Sequence, residues 1–91
     1  MKRPKLLKPY KVVEGRSKSM YGFIGMNPDA AKRFGMPWHY PNNVILIDET
    51  LRGKARLRTE VHEAVEKHYM DKGWSYWKAH KKATKAEKMI R

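Results

Sequence analysis

Apolar residues in the first half of the chain occur in short runs separated by turn-forming residues. The longest uninterrupted run is VILI at positions 44–47, which is too apolar for a strand at the exposed edge of a sheet. Residues 10–14 and 20–24 are typical of two short strands, and the Gly- and Ser-containing segment 15–19 between them predicts a hairpin. We therefore expect a small sheet from this half.

Helix signals interrupt and then follow these strands. Asn27 stands before a proline and predicts the start of a short helix that Gly35 ends. A periodicity of 3.6 residues predicts a long helix over residues 54–70 and a last helix over residues 76–90. Gly73 suits the left-handed position after a helix end, so these two helices should form a hairpin.

The first long helix combines an apolar stripe with the segment HEAVE at positions 62–66. Its stripe consists of Leu57, Val61, Ala64, Val65 and Tyr69. His62 and Glu66 are four residues apart and share one margin of the stripe, whereas His68 points away from them and is predicted to be a core or boundary residue. On the last helix, His80 and Glu87 fall on the inward side. Its outward side carries Lys78, Lys81, Lys82, Lys85 and Lys88.

These elements predict an α+β fold, in which a small antiparallel or mixed sheet packs on a C-terminal helical hairpin. A chain of 91 residues has room for one small domain, which we place at residues 10–91 after a basic, flexible arm over residues 1–9. We expect an intracellular protein without a membrane partner, since the start has no apolar signal-peptide region and no apolar run could span a bilayer. The oligomeric state stays open.

Charge and cysteine content narrow the chemistry. The chain has 21 Lys and Arg against nine Asp and Glu, and its net charge of +12 attracts polyanions such as nucleic acid. It has no cysteine, which excludes disulfides and thiolate zinc sites. A metal would therefore be held by histidine and carboxylate side chains.

One polar cluster would give bonding partners to the ionisable residues that lie near the apolar faces of the hairpin. It joins His62, Glu63 and Glu66 of the first helix to His80, with Glu87 as a supporting or alternative ligand. Two histidines and a glutamate suit zinc, whose catalytic sites take three protein ligands and leave a fourth position for water. Glu63 would then act as the general base toward that water. The strand at 44–47 would border the cleft and align an extended peptide or protein substrate by strand addition.

The segment 43–88 resembles the small zincin-like metallopeptidases, in which a strand, a basic linker and an HE-containing helix follow one another. Small phage-type proteins with an HExxE helix, a glycine turn and a following Ala-His helix are also similar. The resemblance implies a zinc-dependent hydrolase of α+β fold with His62 and Glu66 as ligands, Glu63 as base and His80 as third ligand. This chain departs from the HExxH pattern at Glu66 and is shorter than a usual protease domain.

A metal-binding domain without proteolysis remains open at this point, and so do two alternatives that need no metal. In the first, His62, Glu63 and Glu66 are surface charges of a plain helical hairpin, and Glu63 pairs with Lys67 four residues later. In the second, the chain binds DNA or RNA without catalysis, through its arm, the lysine face of the last helix and stacking tryptophans. The residues assigned to that role are Lys2, Arg3, Lys5, Lys8, Lys78, Lys81, Lys82, Lys85, Trp74 and Trp77.

Overall fold

The computed structural model describes residues 9–16 and 22–90. Its elements, in chain order, are β1 (Lys11–Gly15), β2 (Gly25–Met26), α1 (Pro28–Phe34), β3 (Val44–Asp48), α2 (Gly53–Asp71) and α3 (Tyr76–Glu87). They form one mixed three-stranded sheet and three helices, the last two packed together. The predicted α+β class, with a small sheet on a C-terminal helical hairpin, is confirmed.

The sheet has the strand order β1-β3-β2, with β3 parallel to β1 and antiparallel to β2. The predicted hairpin between residues 10–14 and 20–24 is therefore wrong, because β3 separates the first two strands. The second strand forms at Gly25–Met26, while residues 17–21 lie outside the described part of the chain. The physical reason is that β3 is apolar on both faces, and such a strand is most stable at the centre of a sheet.

Alternate residues of β3 enter two different hydrophobic clusters. Ile45 and Ile47 pack against the hairpin of α2 and α3, whereas Val44 and Leu46 pack against α1. The sheet is thus a middle layer, and the prediction that residues 44–47 are not an exposed edge is confirmed. For the same reason, the expectation that this strand borders a cleft and accepts a peptide is wrong, because both of its edges are already paired.

The capping residues and the helical periodicity of the sequence predicted the helix ends closely. Asn27 caps α1 and Gly35 ends it in the left-handed conformation at φ 72°. The helix α2 agrees with the predicted 54–70 to within one residue at each end, and Gly73 follows it at φ 95°. The last helix ends at Glu87 rather than at residue 90, since residues 88 and 89 form a turn.

Small residues let the two long helices approach closely. Ala64 of α2 and Ala79 and Ala83 of α3 are fully buried, and Ala64 and Ala83 share a hydrophobic cluster with residues of β3. Within the described residues, no helix is long and apolar enough to cross a membrane. Apart from Pro9, the predicted basic arm lies outside those residues.

Candidate metal centre

The close approach of α2 and α3 brings the histidines of the two helices together. The ring centroids of His62 and His80 are 4.8 Å apart, and the rings meet edge to face. Glu66 lies one turn after His62 on the same face of α2, and its side chain is only 3% exposed. Helical periodicity places His62 and Glu66 on one face of α2, and the alanine-lined contact with α3 brings His80 to that face.

Three potential ligand atoms converge at this point. His62 Nε2 lies 3.2 Å from Glu66 Oε2 and 3.2 Å from His80 Nδ1, and His80 Nδ1 lies 2.9 Å from Glu66 Oε2. A tetrahedral zinc with bonds of about 2.0–2.1 Å holds neighbouring ligand atoms about 3.3 Å apart. The three atoms thus form a triangle close to one face of such a tetrahedron, as expected for residues that could hold a metal ion.

Glu87 contacts the other nitrogen of the His62 ring. Its Oε1 lies 2.6 Å from His62 Nδ1, on the side of the ring away from the triangle. A carboxylate in this position holds the imidazole in the tautomer that keeps Nε2 free of a proton for a metal. Of the two roles predicted for Glu87, the geometry fits the supporting one.

Glu63 lies beside the triangle and is buried, being 6% exposed. Asn27 Nδ2 donates hydrogen bonds both to Glu63 Oε1, at 2.9 Å, and to Glu66 Oε1, at 3.1 Å. Strand β2 passes directly over the Glu63 side chain, because an ideal Cβ built on Gly25 would lie 2.9 Å from Glu63 Cγ. Glu63 therefore lies between the edge of the sheet and the converging ligand atoms.

Burial and mutual charge shift the titration of these groups. Burial alone would lower the pKa of His62, but hydrogen bonds and charge from the Glu66, Glu63 and Glu87 carboxylates raise it to about 9. Burial and the neighbouring Glu66 charge raise the pKa of Glu63 to about 8. Burial would raise the pKa of Glu66, yet hydrogen bonds from His62 and His80 lower it below its usual value. Without metal, the cluster keeps protons on His62 and Glu63 and a charge on Glu66.

Tyr76 adds a hydroxyl group that was not assigned to the site from the sequence. Its ring stacks on His80 with centroids 5.4 Å apart, and its hydroxyl lies 3.4 Å from His80 Nδ1. Burial and the charges of Glu66 and Glu63 raise the pKa of Tyr76 to about 12, so it stays a hydrogen-bond donor. The helical periodicity of the sequence places Tyr76 on the inward side of α3. That position could have pointed to the site, but packing against the core explains it equally well.

A cavity of about 270 Å³ opens onto the cluster. Its polar wall contains the residues described above, and its other wall is apolar. The apolar side chains are Phe23, Ile24, Met26, Ala30, Phe34 and Tyr76. Phe34 contacts Phe23 and Tyr76, with ring centroids 5.7 Å and 5.0 Å apart. The strand that borders this cavity is β2, in place of the strand predicted at 44–47.

All five residues predicted for the polar cluster line this cavity or contact one another. His68 lies elsewhere, packed edge to face on Tyr69 with a centroid distance of 5.1 Å. Lys67 does not pair with Glu63 as the surface-charge alternative expected, because it is buried and binds Asp29 and Asp71 instead.

Those residues of the nucleic-acid hypothesis that the structure describes are not gathered at this cavity. The side chains of Lys78, Lys81, Lys82 and Lys85 are exposed along α3. Trp77 is 63% exposed, whereas Trp74 packs on Tyr69 with ring centroids 4.3 Å apart. The remaining residues of that set, Lys2, Arg3, Lys5 and Lys8, lie outside the described part of the chain.

Comparison of the chain with protein-family models, with curated proteins and with solved structures found no match. Its functional assignment therefore depends on the geometry and chemistry of the site itself.

Proposed function

We propose that this protein is a zinc-dependent hydrolase that acts on peptides, with His62, Glu66 and His80 as zinc ligands and Glu63 as general base. The observation that carries the proposal is the triangle of three ligand atoms, 2.9 to 3.2 Å apart, at the wall of a cavity that also contains Glu63. A set of two histidines and one carboxylate is a common catalytic ligand set for zinc. When bound, zinc would supply a Lewis acid that lowers the pKa of water and polarises a carbonyl group.

Glu63 is placed to move a proton during hydrolysis. Its Oε1 is held by Asn27, and its Oε2 lies beside Gly25, 3.0 Å from the position of a Cβ on that residue. Both Glu63 and Gly25 line the cavity. Glu63 is protonated in the metal-free protein, and the positive charge of a bound zinc would favour its ionised form. As general base, the ionised carboxylate would take a proton from water when the water oxygen attacks the peptide carbonyl carbon. The proton then passes to the amine nitrogen as the carbon–nitrogen bond breaks. The Tyr76 hydroxyl can donate to the carbonyl oxygen as negative charge develops on it.

The edge of β2 supports an extended peptide as the substrate. Asp48 N–H donates to the Ile24 carbonyl oxygen at 2.9 Å. Because antiparallel pairs alternate, the N–H and C=O of Gly25 point away from β3. Gly25 is buried but lines the cavity, so a peptide strand that entered the cavity could bind these groups beside Glu63. The aromatic and aliphatic wall of the cavity favours a large apolar side chain next to the cleaved bond.

Zinc stoichiometry and affinity test this proposal after the protein has been stripped with a chelator. We expect one tightly bound zinc in the unmodified chain and loss of that zinc in both His62→Ala and His80→Ala. His68→Ala is the matched control, because His68 lies on the same helix but packs on Tyr69. Absence of zinc from the unmodified chain, or retention of zinc by both variants, would refute the metal site.

Catalysis is tested separately with Glu63→Gln and an internally quenched peptide that carries a large apolar residue. We expect zinc binding to persist while the hydrolysis rate falls by about 10²–10⁴-fold, the usual contribution of a general base. A variant that keeps both zinc and full activity would show that Glu63 is not the base. If the unmodified chain binds zinc but cleaves no peptide, the metal site stands and the peptidase assignment fails.

A second candidate function is binding of nucleic acid along α3. It is favoured by Trp77, which is 63% exposed on the same helix as the exposed lysines. An exposed indole can stack on a base while lysines contact phosphates. Such binding should weaken steeply as salt rises, and Trp77→Ala should reduce it more for single strands than for duplex. Affinity that is insensitive to salt would refute it.

A further inference from the structure

Asn27 makes more hydrogen bonds than a helix cap requires. It is fully buried, and its Oδ1 accepts a hydrogen bond from the Ala30 backbone N–H at 2.8 Å. This bond caps α1 and establishes which end of the side chain is the nitrogen. The Nδ2 group then has two N–H bonds, and the two acceptors within reach are Glu63 Oε1 at 2.9 Å and Glu66 Oε1 at 3.1 Å.

Capping alone does not explain the choice of asparagine. Serine, threonine and aspartate accept the same backbone hydrogen bond with similar effect on helix stability. Among these residues, asparagine alone combines that acceptor with an amide group that donates twice. A lysine or arginine could also bridge two carboxylates, but its positive charge would oppose the approach of a divalent cation. A neutral double donor holds the carboxylates without neutralising them.

We infer that Asn27 is a positioning residue of the site, which turns one oxygen of each carboxylate away so that the other oxygen faces its reaction partner. Glu66 thereby offers Oε2 alone to the two histidines, at 3.2 Å from His62 Nε2 and 2.9 Å from His80 Nδ1. The other oxygen of Glu63, Oε2, is left beside Gly25, and both residues line the cavity. This inference rests on the proposed zinc site, and it assigns a function to a residue 36 positions before Glu63 in the sequence.

Asn27→Ser separates the two roles of this side chain. Serine retains the cap, but its hydroxyl is shorter and has one hydrogen, so it cannot bridge the carboxylates. Gly35→Ala is the matched control: it strains the other end of α1, where φ is +72°, and nothing lies within 4 Å of the new methyl group. Each variant changes one end of α1, but only Asn27→Ser removes the amide group that donates to Glu63 and Glu66.

The measurement is zinc affinity by competition titration, together with the visible absorption spectrum of the Co²⁺-loaded protein, which reports ligand geometry. For Asn27→Ser we expect one zinc bound about 10–100-fold more weakly, the usual loss when a group that orients a ligand is removed. We also expect an altered cobalt spectrum. Gly35→Ala should lower the midpoint of unfolding and leave zinc affinity and the cobalt spectrum unchanged.

The outcomes distinguish this inference from the proposed function. If the unmodified chain and Asn27→Ser bind zinc equally and give the same cobalt spectrum, the inference is overturned and the metal site stands. If the unmodified chain binds no zinc, both are overturned. If Asn27→Ser fails to fold, NMR of the unmodified chain provides the test instead. The Asn27 side-chain amide signals should shift on zinc addition, and unchanged signals would overturn the inference.

Discussion

Helix α2 carries two polar clusters, each built around a buried side chain, that differ in how their charges are balanced. One is the candidate metal centre, formed by His62, Glu66 and His80. The other, which we call the lysine cluster, consists of Lys67 with Asp29 and Asp71. Lys67 is 1% exposed, and its Nζ lies 3.0 Å from Asp71 Oδ2 and 3.4 Å from Asp29 Oδ2.

The lysine cluster contains its own cation and needs no ligand. Its ammonium group lies between two carboxylates, which is the usual condition for burying such a charge. In the metal centre, by contrast, no lysine or arginine bonds to the three converging atoms in the part of the chain described. These atoms are two ring nitrogens and a carboxylate oxygen, and they adjoin a cavity. In the metal-free cluster the proton on His62 supplies the positive charge beside Glu66. A metal ion could replace that proton, because the three atoms converge at the wall of a cavity.

The largest difference between the clusters should appear in zinc affinity. Glu66→Gln preserves shape but removes the anionic ligand, so we expect zinc to bind about a hundredfold more weakly or worse. This figure takes one ligand as about a quarter of the 10–16 kcal/mol typical of four-ligand zinc sites. Lys67→Met on the next position of the helix should leave zinc affinity unchanged. Equal losses in the two variants would show that both act through general damage to α2.

Local helical periodicity explains why most of the metal centre was predictable. His62 and Glu66 share a face because they are four residues apart, and His80 faces them because the glycine turn reverses the chain. Asn27 was predicted only as a cap. Its bonds to Glu63 and Glu66 depend on how α1 packs against α2, and no local pattern in the sequence reports that packing.

The structure differs from the sequence prediction in two other places, and both depend on contacts between segments that are distant in sequence. Strand β1 pairs with β3 across an intervening strand and helix, whereas the prediction paired segments that are adjacent in sequence. The apolar character of β3 on both faces was the available signal for a central strand. Lys67 is four residues from both Glu63 and Asp71, so spacing could not decide between them. The structure pairs it with Asp71 and with Asp29 from α1.

The second prediction concerns the pH dependence of zinc affinity. The pKa of His62 is raised to about 9 in the metal-free protein, while a zinc ligand must be a neutral imidazole. Zinc bound at His62 would therefore displace a proton below pH 9, and its apparent affinity should rise by up to about tenfold per pH unit and level off above that value. Competition titrations from pH 6.5 to 9.5 measure the slope. A flat profile would contradict the proposed role of His62.

Stability of the metal-free protein should change in the opposite direction. His62 has a higher pKa when folded than its ordinary 6.5, so its stabilising effect is complete below 6.5 and is lost as pH rises through about 9. The raised pKa of Glu63 acts with the same sign, from 4.5 through about 8. In the lysine cluster, burial and a hydrogen bond with Asp71 raise the pKa of Asp29 only to about 6. Chemical denaturation with chelator present should thus show that the unfolding free energy falls between pH 7 and 9, because His62 and Glu63 lose their protons in this range.

The smallest expected effect is the loss of stability when the lysine cluster is broken. Lys67→Met leaves two carboxylates without their cation. Because the side chains of Asp29 and Asp71 are 24% and 45% exposed, water can solvate them in part. We expect a loss of about 1–2 kcal/mol in unfolding free energy, below the value for a fully buried pair. Urea denaturation at pH 7 measures it.

The matched control for this loss is the triple variant Lys67→Met, Asp29→Asn, Asp71→Asn, which removes the cation and both carboxylates together. Replacing a whole buried ion cluster by neutral groups costs little, so the triple variant should regain most of the lost stability. It should also bind zinc as the unmodified chain does, because none of the three residues contacts the converging ligand atoms. If it stayed as unstable as Lys67→Met, packing of the lysine stem rather than charge balance would stabilise this region. The lysine cluster would then no longer be an example of a buried cluster stabilised by a fixed cation, in contrast to the exchangeable proton of His62.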